Sequence, residues 1–183
     1  MKSTMSVFWR GAAVALICGA SLGAAELAAA TKAKVQAKIG TIQGWATDAA
    51  VVAEVKSYNA APPAAAREMT QEKWKGLPVL DPGIRAYTRN PAAMALKTKK
   101  EVYVTEAFVS GADGGKVAFL NKPTNWSHKG KEKHAAPMAG SVWIGPVEVD
   151  ESTGQEQVQV AVPVLDGGRP VGSLVVGIAI AKL

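Results

Sequence analysis

Cysteine, histidine and aromatic residues are scarce in this chain, and the shortage excludes several kinds of site. Its 183 residues include one cysteine and two histidines, and 6% of them are aromatic. One cysteine forms no internal disulfide, and two histidines fall short of the three or four ligands of a usual zinc site. His128 and His134 are six residues apart and do not share a helix face. We therefore predict no metal and no other cofactor.

Catalytic motifs are also missing from the chain beyond residue 25. That part has no Gly-x-Ser-x-Gly turn, no phosphate-binding glycine loop and no His-Glu-x-x-His helix. Glu148, Asp150 and Glu151 can be drawn as paired carboxylates for acid–base chemistry. They fall at a predicted strand end and turn, where solvated charges are usual, so we predict that the protein is not an enzyme.

The first 25 residues have the features of a secretory signal peptide. Lys2 and Arg10 give a positive start, and residues 11–25 form an apolar run shorter than the roughly 20 residues of a membrane span. Gly23 and Ala25 suit the small-residue positions of a cleavage site, and Ala28 with Ala30 offers a second choice. We predict a periplasmic or secreted protein that begins after Ala25. The alternative is an uncleaved N-terminal anchor, with the rest of the chain facing the periplasm.

The chain that remains after residue 25 is mildly basic and has no cysteine. Cleavage would remove Cys18 and the charges of Lys2 and Arg10, which lowers the formal net charge from +6 to +4. No run of Lys and Arg is interleaved with aromatic residues, so we predict no nucleic-acid partner. No second apolar span follows, so signalling across a membrane would require a separate membrane protein as partner.

Two glycine-rich turns, GADGG and DGGR, each stand between apolar runs in the C-terminal half. This is the pattern of a β-hairpin, and Asp113, Gly114 and Gly115 in the first turn are expected to supply positive φ angles. Gly145-Pro146 predicts a bulge or a sheet edge in a further strand. We predict five antiparallel strands, at residues 102–109, 116–121, 141–149, 155–165 and 170–181.

The N-terminal half is predicted to be helical. Residues 45–58 repeat apolar side chains near helical spacing, with Thr47-Asp48 as candidate N-caps. Two more predicted helical pieces cover residues 64–75 and 84–97, the second of which is interrupted at Pro91.

Helices followed by hairpins predict a single α+β domain over residues 45–183, with helices packed on one side of a five-stranded antiparallel sheet. Residues 26–44 are predicted to be a linker or the start of the N-terminal helix. Residues 122–140, between the hairpins, show no strand periodicity and are punctuated by Pro123, Gly130, Pro137 and Gly140. We interpret them as a loop that meets a ligand.

Four segments carry a specific pattern of turns and strand edges. They are TEAFV, TNW followed by GKE, an acidic turn before a Gln-rich strand, and DGGRPVG, at residues 105–109, 124–132, 150–159 and 166–172. Over about residues 45–181 this pattern resembles the extracytoplasmic Cache/PDC sensor family, whose fold is PAS-like. The resemblance implies a stand-alone sensor domain with a long N-terminal helix. It also implies that a small ligand is bound, unaltered, between the sheet and the crossing loop.

The predicted crossing loop differs from that family in its charge. Members of the family often carry acidic residues there, and the paired aspartates of amino-acid-binding members are not visible in this chain. The residues present are instead His128, Lys129, Lys131, Lys133 and His134. Lysines aimed at one point select a carboxylate or a phosphate, so we predict a small ligand, with an anionic metabolite favoured over an amino acid.

Seven residues are predicted to bind the ligand. The three aromatic side chains would floor a pocket, although core packing is the alternative for Phe108 and Phe119, and a lid is the alternative for Trp126. The asparagine and the threonine would hydrogen-bond the ligand or cap a turn, and the lysines would attract an anion or face solvent. These residues are Phe108, Phe119, Asn121, Thr124, Trp126, Lys131 and Lys133.

The function predicted from these features is a small-molecule-binding sensor that acts through a separate signalling partner. The alternative is a non-catalytic structural or interaction protein that has the same fold without a pocket and forms a homodimer along its N-terminal helix. A cavity floored by Phe108, Phe119 and Trp126 would favour binding, whereas a solid core at that place would favour interaction.

Overall fold

The computed structural model describes residues 28–149 and 154–183. The predicted signal peptide and the acidic residues Asp150 and Glu151 lie outside these ranges. Within them, no helix is both long enough and apolar enough to cross a membrane. Helices occupy the first half of the described chain, and the sheet follows in the second half.

Two helices, α1 (Ala29–Ala46) and α2 (Ala49–Ala60), begin the described chain. They are separated at Asp48, whose carboxylate accepts a hydrogen bond from the backbone N–H of Ala50 at 2.9 Å and so caps α2. The predicted N-cap is confirmed. Val35 of α1 is fully buried, so the packed domain includes a helix that the sequence suggested only as a linker or a helix start.

Four short helices follow α2. The side chains of Thr70, Asp81 and Asn90 cap the last three of them by accepting hydrogen bonds from backbone N–H groups of the first turn. The single helical piece predicted over residues 64–75 is two helices, and the predicted interruption at Pro91 is confirmed. The four are α3 (Ala64–Arg67), α4 (Gln71–Gly76), α5 (Pro82–Tyr87) and α6 (Pro91–Lys99).

Five strands form one antiparallel sheet: β1 (Val104–Gly111), β2 (Lys116–Phe119), β3 (Trp143–Val149), β4 (Glu156–Asp166) and β5 (Arg169–Ala179). Their order across the sheet is β2-β1-β5-β4-β3. This confirms the predicted α+β class with a five-stranded antiparallel sheet. β3 lies at an edge and its register shifts between Ile144 and Val147, around the Gly145-Pro146 pair that predicted an irregularity.

A bulge in the β1–β2 hairpin decides which way Lys116 points. Val109 pairs with Ala118, whereas the next residue of β1, Ser110, pairs with Lys116, so one residue of β2 has no partner. Lys116 therefore shares a face with Ser110, which a regular register would not allow. Of the three turn residues expected to have positive φ, only Gly114 does, at 83°.

The sheet carries helices on both faces. A Cβ added at Gly172 of β5 would lie 2.9 Å from Val55 of α2, whereas the next residue, Ser173, bonds to His134. His134 belongs to α7 (Glu132–Met138), a helix inside the segment that was predicted to be a loop. Because neighbouring residues of a strand point to opposite faces, α2 and α7 lie on opposite sides of the sheet. The prediction of helices on one side only is wrong.

The alternation of residues along β4 follows this division. Four successive members of one set are valines, which pair with the residues of β5 that face α2: Val158, Val160, Val162 and Val164. The other set begins with Gln157 and Gln159, and both amides are buried. The face of the sheet towards α2 is therefore an apolar core, and the face towards α7 contains buried polar groups, which creates the conditions for a site.

Candidate functional site

A cavity of about 210 Å³ lies between the sheet and the segment that contains α7. An engineered cavity of about 150 Å³ admits benzene, so this one is large enough for a ligand of several non-hydrogen atoms. Its walls come from β1, β3, β4, α7 and the loop after β2. The lining residues are Glu106, Phe108, Pro123, Thr124, Asn125, His128, Lys133, Glu148, Val149, Gln157 and Gln159.

Two carboxylates and two amides form the sheet wall of this cavity. Oε1 of Glu106 accepts hydrogen bonds from Nε2 of Gln159 at 2.6 Å and from Nε2 of Gln157 at 3.1 Å. The same nitrogen of Gln157 donates to Oε1 of Glu148 at 3.2 Å. The network holds two negatively charged groups next to each other. In the described ranges, no group of three or more His, Cys, Asp or Glu side chains is placed to hold a metal ion.

The close approach of these side chains depends on Gly177 of β5. Gly177 lies between Glu106 of β1 and Gln159 of β4 in the sheet register. A Cβ at this position would overlap Oε1 of Gln157 and would lie 2.8 Å from Cγ of Glu106. The missing side chain thus leaves the room in which the amide–carboxylate network forms.

Lys133 is the one lysine among the residues that line the cavity. Its ammonium group donates a hydrogen bond to Oε1 of Gln159 and lies 6.0 Å from the centre of the Trp143 ring. The neighbouring Glu132 accepts a hydrogen bond from Nε1 of Trp143 at 3.2 Å. These contacts attach α7 to the sheet and place one positive charge at the edge of the carboxylate–amide network.

A buried basic pair adjoins the cavity. Lys116 is fully buried, and its Nζ lies 2.7 Å from Nδ1 of His128 and 3.4 Å from Oγ of Ser110. The imidazole stacks on Phe108, with ring centres 4.9 Å apart. Burial lowers the pKa of Lys116 to about 7, and burial together with the Lys116 charge lowers the pKa of His128 to about 2. The His128 side chain is therefore neutral near pH 7.

The second histidine, His134, has a structural environment. Its Nε2–H donates to the carbonyl oxygen of Ala112 at 3.3 Å, and its Nδ1 accepts from the hydroxyl of Ser173 at 2.8 Å. Burial lowers the pKa of this imidazole as well. Both ring nitrogens are occupied, so His134 joins α7 to β5 and to the β1–β2 turn.

The structure separates the seven predicted ligand-binding residues into three groups. Phe108, Thr124 and Lys133 line the cavity, and their role in binding stays a prediction. Asn121 and Lys131 are exposed to solvent and lie outside the lining, the latter as the N-cap residue of α7. For these two the structure gives the turn and solvent environments that were the alternatives.

Phe119 and Trp126 belong to a buried aromatic cluster with Trp74 and Tyr87. The ring centre of Trp74 lies 5.8 Å from that of Phe119 and 5.1 Å from that of Trp126, and Tyr87 lies 5.7 Å from both. The expected pocket floor of Phe108, Phe119 and Trp126 is therefore not present. The packing of Trp74 and Tyr87 from α4 and α5 fills that place, and only Phe108 borders the cavity. The solid core at Phe119 and Trp126 is the arrangement expected of the interaction protein, so the case for ligand binding rests on the separate polar cavity.

The loop lysines do not converge on one point. Lys122 donates to the carbonyl oxygens of Trp74 and Leu77, at 2.6 and 2.9 Å, and so secures α4. Lys129 is exposed, as is Lys131, the N-cap residue of α7. A binding site for an anion built from several lysines is not formed by the described residues.

Sequence reasoning did not identify Glu106, Gln157 and Gln159, and it treated Glu148 as a solvated charge. A signal for the two glutamines was present, because they alternate with valines in a strand that is otherwise apolar, and buried amides require partners. Lys116 gave no such signal, since only the bulge in β2 turns it towards this face.

A second, larger cavity of about 500 Å³ lies on the opposite, helical side of the protein. Its walls are mainly apolar and include Tyr58, Met69, Leu77, Ile84 and Tyr87. The described lining contains no cationic side chain and no amide–carboxylate network. The smaller cavity has the convergent polar groups that fix the orientation of a ligand, and it is the candidate site.

Comparison with protein-family models and with curated proteins gave no match. Solved structures gave matches at low identity. The ligand-binding domain of the Campylobacter jejuni chemoreceptor Tlp3, in complex with 4-methylisoleucine, matches 83% of this chain and 61% of that chain, with 11% identity and a TM-score of 0.42. The ligand-binding domain of the Pseudomonas fluorescens chemoreceptor CtaA, in complex with L-serine, matches 82% of this chain and 53% of that chain. The identity is 14% and the TM-score is 0.45.

The ligand-binding domain of the Pseudomonas aeruginosa amino acid chemoreceptor PctC, in complex with GABA, is similar over 83% of this chain and 60% of that chain. The identity is 14% and the TM-score is 0.44. This chain therefore spans between about half and three fifths of the length of these solved domains. They are sensory domains of the Cache/PDC type. The sequence resembles the same family.

Proposed function

We propose that this protein is a sensor domain that binds a small organic molecule without altering it. The observation that carries the proposal is the cavity in which glutamine amides hold Glu106 and Glu148 together, with Lys133 and His128 in the same lining. A recessed site with a few convergent polar groups is the usual form of a small-molecule pocket. The sensory role rests on the family resemblance of the sequence.

The charges of the cavity favour a ligand that carries a cationic nitrogen. The lining contains two carboxylates and one lysine, and the ammonium group of Lys133 already donates to Gln159. A protonated amine can donate to both carboxylates in charge-assisted hydrogen bonds. A purely anionic metabolite has less support than the loop lysines suggested, because only Lys133 reaches the cavity. We therefore propose a small amine or a zwitterion.

The proposal includes a location outside the cytoplasm and a separate membrane protein that receives the signal. The location rests on the positively charged start and the apolar run of residues 1–25. Fractionation of cells that express the full chain tests it. We expect the protein in the periplasmic fraction, with an N-terminus near Glu26 or Thr31.

The ligand proposal is tested by a thermal-shift and calorimetric screen against small amines, amino acids, carboxylates and phosphates. A compound that binds only the folded state raises the melting temperature as its concentration rises. We expect compounds with an amine to do so, and we expect Glu148→Gln to weaken their binding by about tenfold, or about 1.4 kcal/mol. Glu156→Gln is the matched control, because Glu156 is an exposed residue of β4 outside the cavity lining.

Two outcomes contradict this proposal. If only carboxylates or phosphates bind, the ligand class is wrong. If no class binds, the interaction protein without a functional pocket becomes the better description, and the association state of the purified chain is the next measurement.

A further inference from the structure

The ring of His128 has one nitrogen that protein groups do not use. His128 is 5% exposed, and its Nδ1 is engaged by Nζ of Lys116. Its Nε2 makes no hydrogen bond to a described residue. Among the described residues, every side-chain nitrogen or oxygen that is fully shielded from solvent has a hydrogen-bond partner. Nε2 is therefore not sealed within protein. Because the side chain lines the cavity, this nitrogen opens onto it.

The state of Lys116 decides which nitrogen of His128 carries the proton. An ammonium group has three donors and no acceptor, so Nδ1 of His128 must accept the hydrogen bond. The one proton of the neutral imidazole is then on Nε2. The stacking on Phe108 fixes the plane of the ring, so the Nε2–H group is held in one direction as a hydrogen-bond donor to the cavity.

We propose that Lys116 is a positioning residue, which holds His128 as a neutral hydrogen-bond donor to a carboxylate of the ligand and releases it as the pH rises through neutrality. The inference rests on the proposed function, because it assigns the second end of the same ligand. Glu106 and Glu148 then bind the ammonium group of the ligand, and His128 binds its carboxylate. The ligand is a small zwitterion whose affinity depends on pH.

The surroundings of Lys116 explain why this change falls near neutral pH. Burial is the main cause that lowers the pKa of Lys116 to about 7, and repulsion from Lys133 on α7 acts in the same direction. Glu106 on β1 and Asp113 in the hairpin turn favour the ammonium form. Once deprotonated, the amine can accept a hydrogen bond from Nδ1–H, so the proton of the His128 ring is no longer required on Nε2.

The imidazole of His128 remains neutral while Lys116 titrates. After burial, the largest cause that lowers the pKa of His128 is the charge of Lys116. The other groups that act on it, all of them basic and at or near α7, oppose its protonation as well: Lys133, His134 and Lys131. The change with pH is therefore a change of tautomer, accompanied by the loss of one buried positive charge, and both weaken the binding of a carboxylate.

The test uses formate as the probe for the acid end and methylamine as the probe for the amine end. Formate stays ionised near neutral pH, so a change in its affinity reports the protein. In NMR titrations of the purified protein, we expect formate to shift the ring ¹⁵N signals of His128 saturably. We expect its Kd to rise by roughly tenfold between about pH 6 and about pH 8. The two-bond ¹H–¹⁵N pattern should show the Nε2–H tautomer at the lower pH.

Variants separate positioning from general structure. Lys116→Met removes the amine at similar volume, and we expect it to weaken formate binding by about tenfold at the lower pH and to abolish the pH dependence. Lys129→Met, at an exposed lysine of the same loop, should change neither. His128→Gln keeps an amide N–H donor near the position of Nε2, so it should retain formate binding with a smaller change near neutral pH, because only the charge of Lys116 is then lost.

An unchanged formate Kd across this pH range, or in Lys116→Met, overturns the inference. If Lys116→Met does not fold, the wild-type titration and His128→Gln decide the question. Methylamine keeps the two proposals distinct. If methylamine binds and formate does not shift His128, the acid subsite is wrong and the sensor function stands. If neither probe binds and the screen is negative, the proposed function itself is wrong.

Discussion

At the scale of single residues, the cavity is built from polar side chains at positions where a sheet core usually has apolar ones. Gln157 and Gln159 are buried in β4, and a buried amide destabilises the fold unless it is hydrogen-bonded. Both amides donate a hydrogen bond to Glu106, which they share as a partner, and both also bond to neighbouring groups. Valine at these positions would give a simpler core but no means of holding two carboxylates together, so these residues indicate a site.

The glycine beside this network gives a prediction about packing. We expect Gly177→Ala to displace Gln157 and Glu106, to lower the free energy of unfolding by about 1–2 kcal/mol and to weaken ligand binding severalfold. Urea denaturation and the ligand titration measure the two effects. Gly40→Ala in α1 is the control, because a Cβ there meets no atom within 4 Å and alanine favours a helix. Equal behaviour of the two variants would show that the network tolerates a side chain at Gly177.

The neutral imidazole of His128 gives a prediction about acid stability. The pKa of His128 is about 2 in the folded protein, whereas its ordinary value, which applies to the unfolded chain, is 6.5. Between these two pH values the unfolded chain therefore binds more protons than the folded protein. The free energy of unfolding should therefore fall as the pH drops below about 6.5, by up to about 1.4 kcal/mol per pH unit from this residue. His134 acts in the same direction. Urea denaturation between about pH 7 and pH 4.5 should show a shallower decline for His128→Gln, and parallel declines would contradict the buried neutral state.

At the scale of elements, the turn between β1 and β2 is held from both sides of the sheet. From α2, the hydroxyl of Tyr58 donates to Oδ2 of Asp113 at 3.1 Å, and the side chain of Asn59 accepts from the backbone N–H of Ala112 at 2.9 Å. From α7, His134 donates to the carbonyl oxygen of the same alanine. The turn is therefore contacted by helices from both faces of the sheet, beside the basic pair that adjoins the cavity.

The hydrogen bond from α2 to this turn can be removed without changing the packing. We expect Tyr58→Phe to lower the free energy of unfolding by about 1 kcal/mol, because Asp113 loses a donor while the ring stays in the core. Thermal and urea denaturation measure the change. Tyr87→Phe is the matched control, since the Tyr87 hydroxyl has no hydrogen bond to a described residue although its ring is packed. A similar loss in both variants would mean that the Tyr58 bond contributes nothing specific.

At the scale of the whole molecule, one sheet separates two kinds of environment. The face towards α1 and α2 is apolar, with Val158, Val160 and Val176 fully buried. The face towards α7 contains the amides, carboxylates and basic groups of the candidate site. In the proposed function the apolar face stabilises the fold and the polar face binds the ligand, so changes in the cavity are expected to alter affinity more than stability.

The predicted strands, hairpin turns and most helix starts agree with the structure because local chemistry decides them. Asp48 and Asn90 cap helices through their own side chains, and Gly167 and Gly168 turn the last hairpin with φ angles of 58° and 82°. The short helix α7 was not predicted, because Pro137 lies inside it and no helical apolar period marks it. Contacts of His134 and Lys133 with the sheet hold it in place.

The sequence by itself determined the class of fold, the hairpins and the alternation of β4, since each follows from side-chain period and turn chemistry within a few residues. Tertiary structure alone decided which polar residues meet. Glu106, Glu148 and Gln157 come from three strands, and Gly177 on a fourth leaves the room for them. The bulge that turns Lys116 towards His128 depends on pairing with β1. Register and long-range packing place these groups, and neither is contained in a local stretch of sequence.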